Sequence, residues 1–145
     1  MDNKTIQFEI VTPERQVLKE EITQVTLPTK QGEVTILPGH VPLVASLDAG
    51  VIEIAKKDGY HDIMSLSGGF VEVLKDKVVI LADIAERAEE IDVEKAEEAR
   101  KRAEEEKQNL RHSDKERYAY IVSKLSKELA RTRAARRWKD INRYE

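Results

Sequence analysis

A chain of 145 residues holds one average domain, or a small domain with an appendage, around one modest core. It has no cysteine, which excludes disulfides, thiolate nucleophiles and thiolate metal sites, and no stretch approaches the roughly 20 apolar residues of a spanning helix. The net charge of −3 conceals a gradient: residues 1–85 hold 8 basic and 13 acidic groups (−5), residues 86–117 hold 9 and 12 (−3), and residues 118–145 hold 8 and 3 (+5).

The opening Met1-Asp2-Asn3-Lys4-Thr5 lacks the basic-then-apolar pattern of a signal peptide, so a cytosolic location is expected, with membrane association only through a partner. Up to about residue 85 the apolar period is near two. Ile6, Phe8 and Ile10 alternate with Thr5, Gln7 and Glu9, as on a half-buried strand. Extended stretches follow at Val17-Leu18, Ile22 to Leu27, Val34 to Leu37, Val51 to Ala55, Ile63 to Ser67, Phe70 to Leu74 and Val78 to Ala82. Lys57-Asp58-Gly59 and Lys75-Asp76-Lys77 stand between apolar runs at hairpin spacing, and Gly68-Gly69 suits a turn or bulge. Pro28, Pro38 and Pro42 exclude helix, so residues 1–85 read as a small all-β sandwich or barrel.

After a linker at 86–91 the pattern changes. Residues 92–110 contain no Gly or Pro and are rich in Ala, Glu, Lys and Arg, with Asp92 as N-cap and a thin apolar stripe of Ala96, Ala99, Ala103 and Leu110. Glu97–Lys101 and Glu98–Arg102 are spaced as helix-surface pairs. Ser113 followed by Glu116 is a capping box that restarts a helix over about 114–140, with Tyr118, Ile121, Val122, Leu125 and Leu129 on its apolar face. The short connection predicts an antiparallel two-helix hairpin over 92–145. Such a polar hairpin buries little by itself, so it docks elsewhere or moves.

No arrangement of catalytic groups stands out. His40, His61 and His112 lack metal-ligand spacing, and no phosphate loop or glycine-rich fingerprint is present. The run Arg131, Arg133, Arg136, Arg137, Lys139 and Arg143 has three readings: a grip on phosphates, a match for a partner's carboxylates, or a basic helix end favoured by the macrodipole. A nucleic-acid-binding adaptor is the rival function, opposed by the acidic remainder of the chain and the lack of a stacking platform.

The segment Gly32-Glu33-Val34-Thr35-Ile36-Leu37-Pro38-Gly39-His40-Val41-Pro42-Leu43 resembles the signature of the F-type ATP synthase epsilon subunit. So do Phe8-Glu9-Ile10-Val11-Thr12-Pro13-Glu14, Ser67-Gly68-Gly69-Phe70-Val71-Glu72-Val73 and Val79-Ile80-Leu81-Ala82-Asp83, in the same order. The resemblance implies a sandwich of about ten strands fixed to the gamma subunit and the c-ring, with Glu33 and His40 meeting the c-ring. It implies a central-stalk rotor subunit with no catalysis of its own, peripheral at the cytoplasmic face of a bacterial membrane. The hairpin of such subunits lies against the sandwich or extends toward the alpha/beta hexamer, where it inhibits ATP hydrolysis. Arg131, Arg133, Arg136 and Arg137 match the basic residues that meet the beta subunit there.

Some members of that family bind ATP as a regulatory ligand, without any required cofactor, through a motif of Ile or Leu, Asp, two variable residues, Arg and Ala. Here the segment is Ile91-Asp92-Val93-Glu94-Lys95-Ala96, with Lys95 in place of the arginine. Lysine keeps the charge and loses the planar fork. Glu86, Arg102, Arg133 and Arg137 match further positions of that site. Asp92 and Glu94 read equally well as ordinary acidic residues of a helix first turn.

Overall fold

The structure is a computed structural model that describes residues 4–110 and 114–143. The strands are β1 (Ile6–Val11), β2 (Gln16–Ile22), β3 (Gln24–Thr29), β4 (Gly32–Ile36), β5 (Leu43–Ala55), β6 (His61–Val73), β7 (Lys77–Ala82) and β8 (Ala85–Arg87). A 3-10 turn (Ala88–Glu90) leads to helices α1 (Val93–Asn109) and α2 (Lys115–Asn142). The strands hydrogen-bond in the order β2-β1-β7-β6-β5-β3-β4, and β8 pairs with β6. Ile6, Phe8, Leu18, Leu27, Ile36, Ile52, Leu66 and Ile80, from seven strands, meet in one buried cluster, so the sheet folds over itself into a sandwich.

Eight strands are present among the described residues where about ten were expected. β5 and β6 run 13 residues each without a break, so single strands span both layers where shorter segments were anticipated. β6 changes neighbour on the way: Met64–Leu66 pair with β8, and Gly69–Val73 pair with β7. The Gly68-Gly69 step marks that change, both residues having positive φ. The stretch Ile22 to Leu27, expected as one strand, is two. Thr23 stands between β2 and β3, its backbone N–H donating to Ala55 O at 2.8 Å and its hydroxyl to the same oxygen at 2.9 Å.

Pro28 lies inside β3, paired with Glu33 of β4, and the β3–β5 register shifts between Thr26 and Thr29. Lacking an N–H, proline cannot serve that ladder. Its ring occupies the space beside Gly50, where an added Cβ would stand 2.8 Å from Pro28 Cβ. Gly50→Ala is therefore expected to lose about 1–3 kcal/mol, the range for overpacking, read as a lower urea midpoint at unchanged slope.

Asp92 caps α1 by accepting from the Lys95 backbone N–H at 3.2 Å. The cap seen on α2 is Asp114, accepting from the Arg117 N–H at 3.1 Å. Ser113, expected in that role, lies outside the described residues, as does His112. The helices are antiparallel: Arg136 meets Glu97, and Lys124 lies 3.9 Å from Glu106. Arg100 bonds Glu97 and Glu104 at 3.1 and 2.8 Å, replacing the anticipated Glu97–Lys101 and Glu98–Arg102 pairs.

The hairpin lies against the sandwich through α2, which covers β5 and β6 while α1 rests on α2. The buried positions of α2 are Ile121, Glu128, Ala130, Thr132, Ala134 and Ala135. Of the apolar face expected there, only Ile121 is buried; Tyr118 is exposed, and Val122, Leu125 and Leu129 are half-buried. Small side chains, rather than leucines, make the close approach.

Candidate functional site

Alternation along β5 and β6 sends Ile52, Ile54, Met64 and Leu66 into the sandwich core. The opposite face carries Val51 and Glu53 on β5, His61, Ile63 and Ser65 on β6, and Glu86 on β8. This face would be solvated in a bare sandwich, yet Ile63 is fully buried. It joins Ala88, Ile91, Ala96, Ala134 and Ala135 in a second cluster, with Val51, Val93, Trp138 and Ile141 packed around it. That seam is the apolar part of the junction between sandwich and hairpin.

Ion pairs flank the seam. Arg131 Nε donates to Glu86 at 2.8 Å, and Arg131 Nη1 to Glu128 at 3.0 Å. Burial works against the Arg131 charge, and the carboxylates of Glu86 and Glu128 more than offset it, so its pKa lies above the ordinary arginine value. Arg137 Nη2 donates to Glu53 Oε1 at 3.2 Å, and Arg136 pairs with Glu97 of α1. Partly exposed pairs contribute on the order of 0.2–1 kcal/mol each. The seam buries fewer and on average smaller apolar side chains than the sandwich core, so docking of the hairpin is the weaker of the two.

Beside the seam a crevice of about 280 Å³ opens between α2 and the sheet, lined by Thr26, Glu33, Val51, Glu53, Arg133 and Arg137. Arg133 makes no ion pair among the described residues. Arg131, Arg136 and Arg137 of the docked helix thus confront the chain's own carboxylates, while Arg133, Lys139 and Arg143 are exposed.

The residues singled out in the sequence fall into separate groups. Arg133 and Arg137 share the crevice. Ile91 and Ala96 are buried in the apolar seam, Asp92 is engaged as the α1 cap, and Lys95 is exposed one residue before Ala96. Glu86 is held by Arg131. Arg102 lines a different crevice with Glu105, Glu106, Asn109, Leu110, Arg117 and Ile121 near the hairpin's turn, and is not brought to Arg133 and Arg137. Glu33 lies within β4, and His40 four residues beyond its end. Glu33 faces the crevice, and His40 sits in the loop that carries exposed Leu37 and Val41.

Three residues were given no junction role from the sequence: Glu53, His61 and Ile63. Glu53 and His61 occupy ordinary outward positions of alternating strands, which carry no local signal. Ile63 had one: an isoleucine on the otherwise polar phase of β6 demands a cover. A further buried group, Asp62, stands between His61 and Ile63 on β6, 3.4 Å from Arg87 and 3.8 Å from Lys56, which in turn bonds Glu20 at 3.1 Å. This network fixes β8 to β6 immediately before the chain leaves for the hairpin. Among the described residues no cluster of metal-ligating side chains occurs, and no helix is long and apolar enough to cross a membrane.

Residues 5–88 match the family model described as ATP synthase, Delta/Epsilon chain, beta-sandwich domain. The ATP synthase epsilon chain of Pelotomaculum thermopropionicum is 48% identical over 105 residues, covering 72% of this chain and 78% of that one. That of Bacillus subtilis is 49% identical over 102 residues, 70% of this chain and 76% of its own. Among solved structures, a chain of the Euglena gracilis mitochondrial ATP synthase, OSCP/F1/c-ring, superposes with a TM-score of 0.77 at 26% identity, covering 89% of this chain and 81% of that chain. A chain from the Tetrahymena thermophila mitochondrial ATP synthase central stalk and c-ring shares the fold, with a TM-score of 0.63 at 17% identity over 93% and 99% of the two chains. The sandwich, the appended hairpin and these similarities agree: the chain belongs to the ATP synthase delta/epsilon family and, within it, to the epsilon chains.

Proposed function

We propose that the chain couples rotation between the c-ring and F1 as a non-catalytic subunit of the central stalk, and that its hairpin is a movable arm restraining ATP hydrolysis. The sandwich seats on the gamma subunit and the c-ring, and the extended hairpin reaches the alpha/beta hexamer. The chain is thereby held at the cytoplasmic face of the membrane through the complex. The observation that carries this reading is the division of the molecule into a sandwich with a large buried core and a hairpin docked through a smaller seam, centred on Ile63, Ile91 and alanines, and through the partly exposed pairs Arg131–Glu86 and Arg137–Glu53. A foot under rotational load has to be rigid, whereas an arm has to release at small cost.

Apolar surface supports the seating. Leu37, Val41, Val44 and Leu74 are exposed around one end of the sandwich, where Gly39 N–H donates to Lys75 O at 3.3 Å and ties the two loops together. Phe70 and Leu81, cross-strand partners on β6 and β7, are exposed as well. Such surface suits burial against partner subunits.

In the extended state Arg131, Arg133, Arg136 and Arg137 leave Glu86, Glu53 and Glu97 for acidic groups of the beta subunit. Changing Arg133, Arg136 and Arg137 together to Glu is expected to weaken inhibition of hydrolysis by about tenfold or more, with rotor assembly retained. Titration of the variant into complex lacking this chain, followed by ATP hydrolysis, tests it; unchanged inhibition contradicts the assignment.

ATP is the regulatory ligand on this reading. The paired guanidiniums of Arg133 and Arg137 suit a phosphate chain in charge and in donor geometry. Bound there, the triphosphate would supply negative charge that favours the docked arm. Asp92, Ile91 and Ala96 already serve the cap and the seam, so they shape the α1 start from which Lys95 adds charge.

A further inference from the structure

The crevice that would hold the phosphates contains two carboxylates, which is unusual for an anion site and calls for explanation. Glu53 takes the guanidinium of Arg137, with Nη2 at 3.2 Å from Oε1 and 3.5 Å from Oε2. Glu33 shares the same lining and makes no ion pair among the described residues. An anion entering here therefore gains Arg133 directly but reaches Arg137 only by displacing Glu53.

The displaced carboxylate has somewhere to go. His61 neighbours Glu53 from the facing strand, its Nδ1 lying 3.5 Å from Glu53 Oε1. That nitrogen is buried and has no hydrogen-bond partner. A buried ring nitrogen without a partner carries a desolvation cost that a short move of the carboxylate would relieve. In the tautomer that carries its proton on Nδ1, His61 is a second donor, so Glu53 stands between Arg137 on the helix and His61 on the sheet and bonds only the first.

We propose that Glu53 is a built-in competitor for the nucleotide's phosphates: in the ligand-free chain it occupies Arg137, and on binding it passes to His61. The inference rests on the reading of ATP as regulatory ligand, and it makes Glu53 a positioning residue that sets affinity without touching the ligand. It also gives the arm two internal counter-ions. Glu53 holds Arg137 down when nucleotide is scarce, and nucleotide replaces it when abundant, so the hairpin need not leave the sheet during the exchange. Since Arg137 is half-exposed, the competition is modest in size.

The test is isothermal titration of the full chain with ATP for the wild type, Glu53→Gln, His61→Ala, the double variant, and Glu21→Gln as a control for net charge. Trp138 emission monitors docking in each. Glu53→Gln should bind about three- to fivefold more tightly, the scale of one partly exposed charge pair, and Glu21→Gln should match the wild type. His61→Ala should weaken binding in the wild type and have no effect in the Glu53→Gln background, because the displaced carboxylate is then absent; a merely structural histidine would weaken both equally. Equal or weaker binding by Glu53→Gln, with or without loss of docking, overturns the competitor role and leaves the ATP reading standing. No ATP binding by any of these chains overturns both.

Discussion

Gly69→Ala is expected to cost about 4 kcal/mol of folding stability, combining a clash with backbone and a strained φ. An alanine Cβ at this position would lie 2.2 Å from the Leu81 carbonyl oxygen and 2.9 Å from Ala82 Cα, at a φ of +136°. Neither neighbour can yield, since both belong to β7, which pairs with Gly69 itself. The adjacent Gly68 differs: its Cβ would meet only the Asp83 Oδ2 tip at 2.9 Å, at a φ of +82°. Gly68→Ala should therefore lose only about 1–2 kcal/mol, mainly backbone strain. Urea unfolding of the two variants side by side checks the contrast. A Gly69→Ala chain within about 1 kcal/mol of the wild type would mean that β6 and β7 do not approach this closely. A domain of this size has about 5–15 kcal/mol in reserve, so the larger loss also threatens accumulation of the chain.

The second large effect concerns the junction. Ile63→Asp should release the hairpin while leaving the sandwich folded, because Ile63 belongs to the outer seam and not to the sandwich core. Aspartate is too short to escape the alanines that cover it, and it stands on the same sheet face as Glu53 and Glu86. An unpaired carboxylate buried there costs several kcal/mol, more than docking through alanines and partly exposed ion pairs can offset. Trp138, the chain's one tryptophan, packs against this seam and reports the release as a red shift of emission. Amide exchange should rise throughout α1 and α2 and stay slow in β1, β5, β6 and β7. Loss of protection in the strands as well would show that sandwich and hairpin fold as one unit.

The legibility of these features in the sequence follows the range of the forces involved. Period-two runs such as Ile6-Phe8-Ile10 and Val78-Ile80-Ala82 are local, and each became a strand with those residues inside. The helices were equally visible, being free of Gly and Pro over long stretches. The first half of β5 was not, because Leu43 to Gly50 mixes Ala, Ser, Asp and Gly and follows a proline; it is a strand only because β6 pairs along its length. β8 was likewise invisible, lying at the start of what composition suggested was a linker and existing through Met64, Ser65 and Leu66 of β6. At the site, Arg133 and Arg137 share a helix face by spacing alone, whereas their neighbours Glu33 and Glu53 come from β4 and β5, which no local pattern connects to α2. The hairpin's contact face was misjudged for a related reason. Large apolar residues mark burial in a sequence, yet this interface needs closeness, which Ala130, Ala134 and Ala135 provide.

The division into a coupling foot and a releasable arm meets its most direct test in a reconstituted synthase that lacks this chain, supplied with none, with the wild type or with Ile63→Asp. Proton-driven ATP synthesis and ATP hydrolysis are measured on the same preparations. Both chains should restore coupled synthesis, and Ile63→Asp should inhibit hydrolysis more strongly than the wild type because its arm is already free. Failure of Ile63→Asp to restore synthesis, or hydrolysis indistinguishable from that with the wild type, would contradict the division.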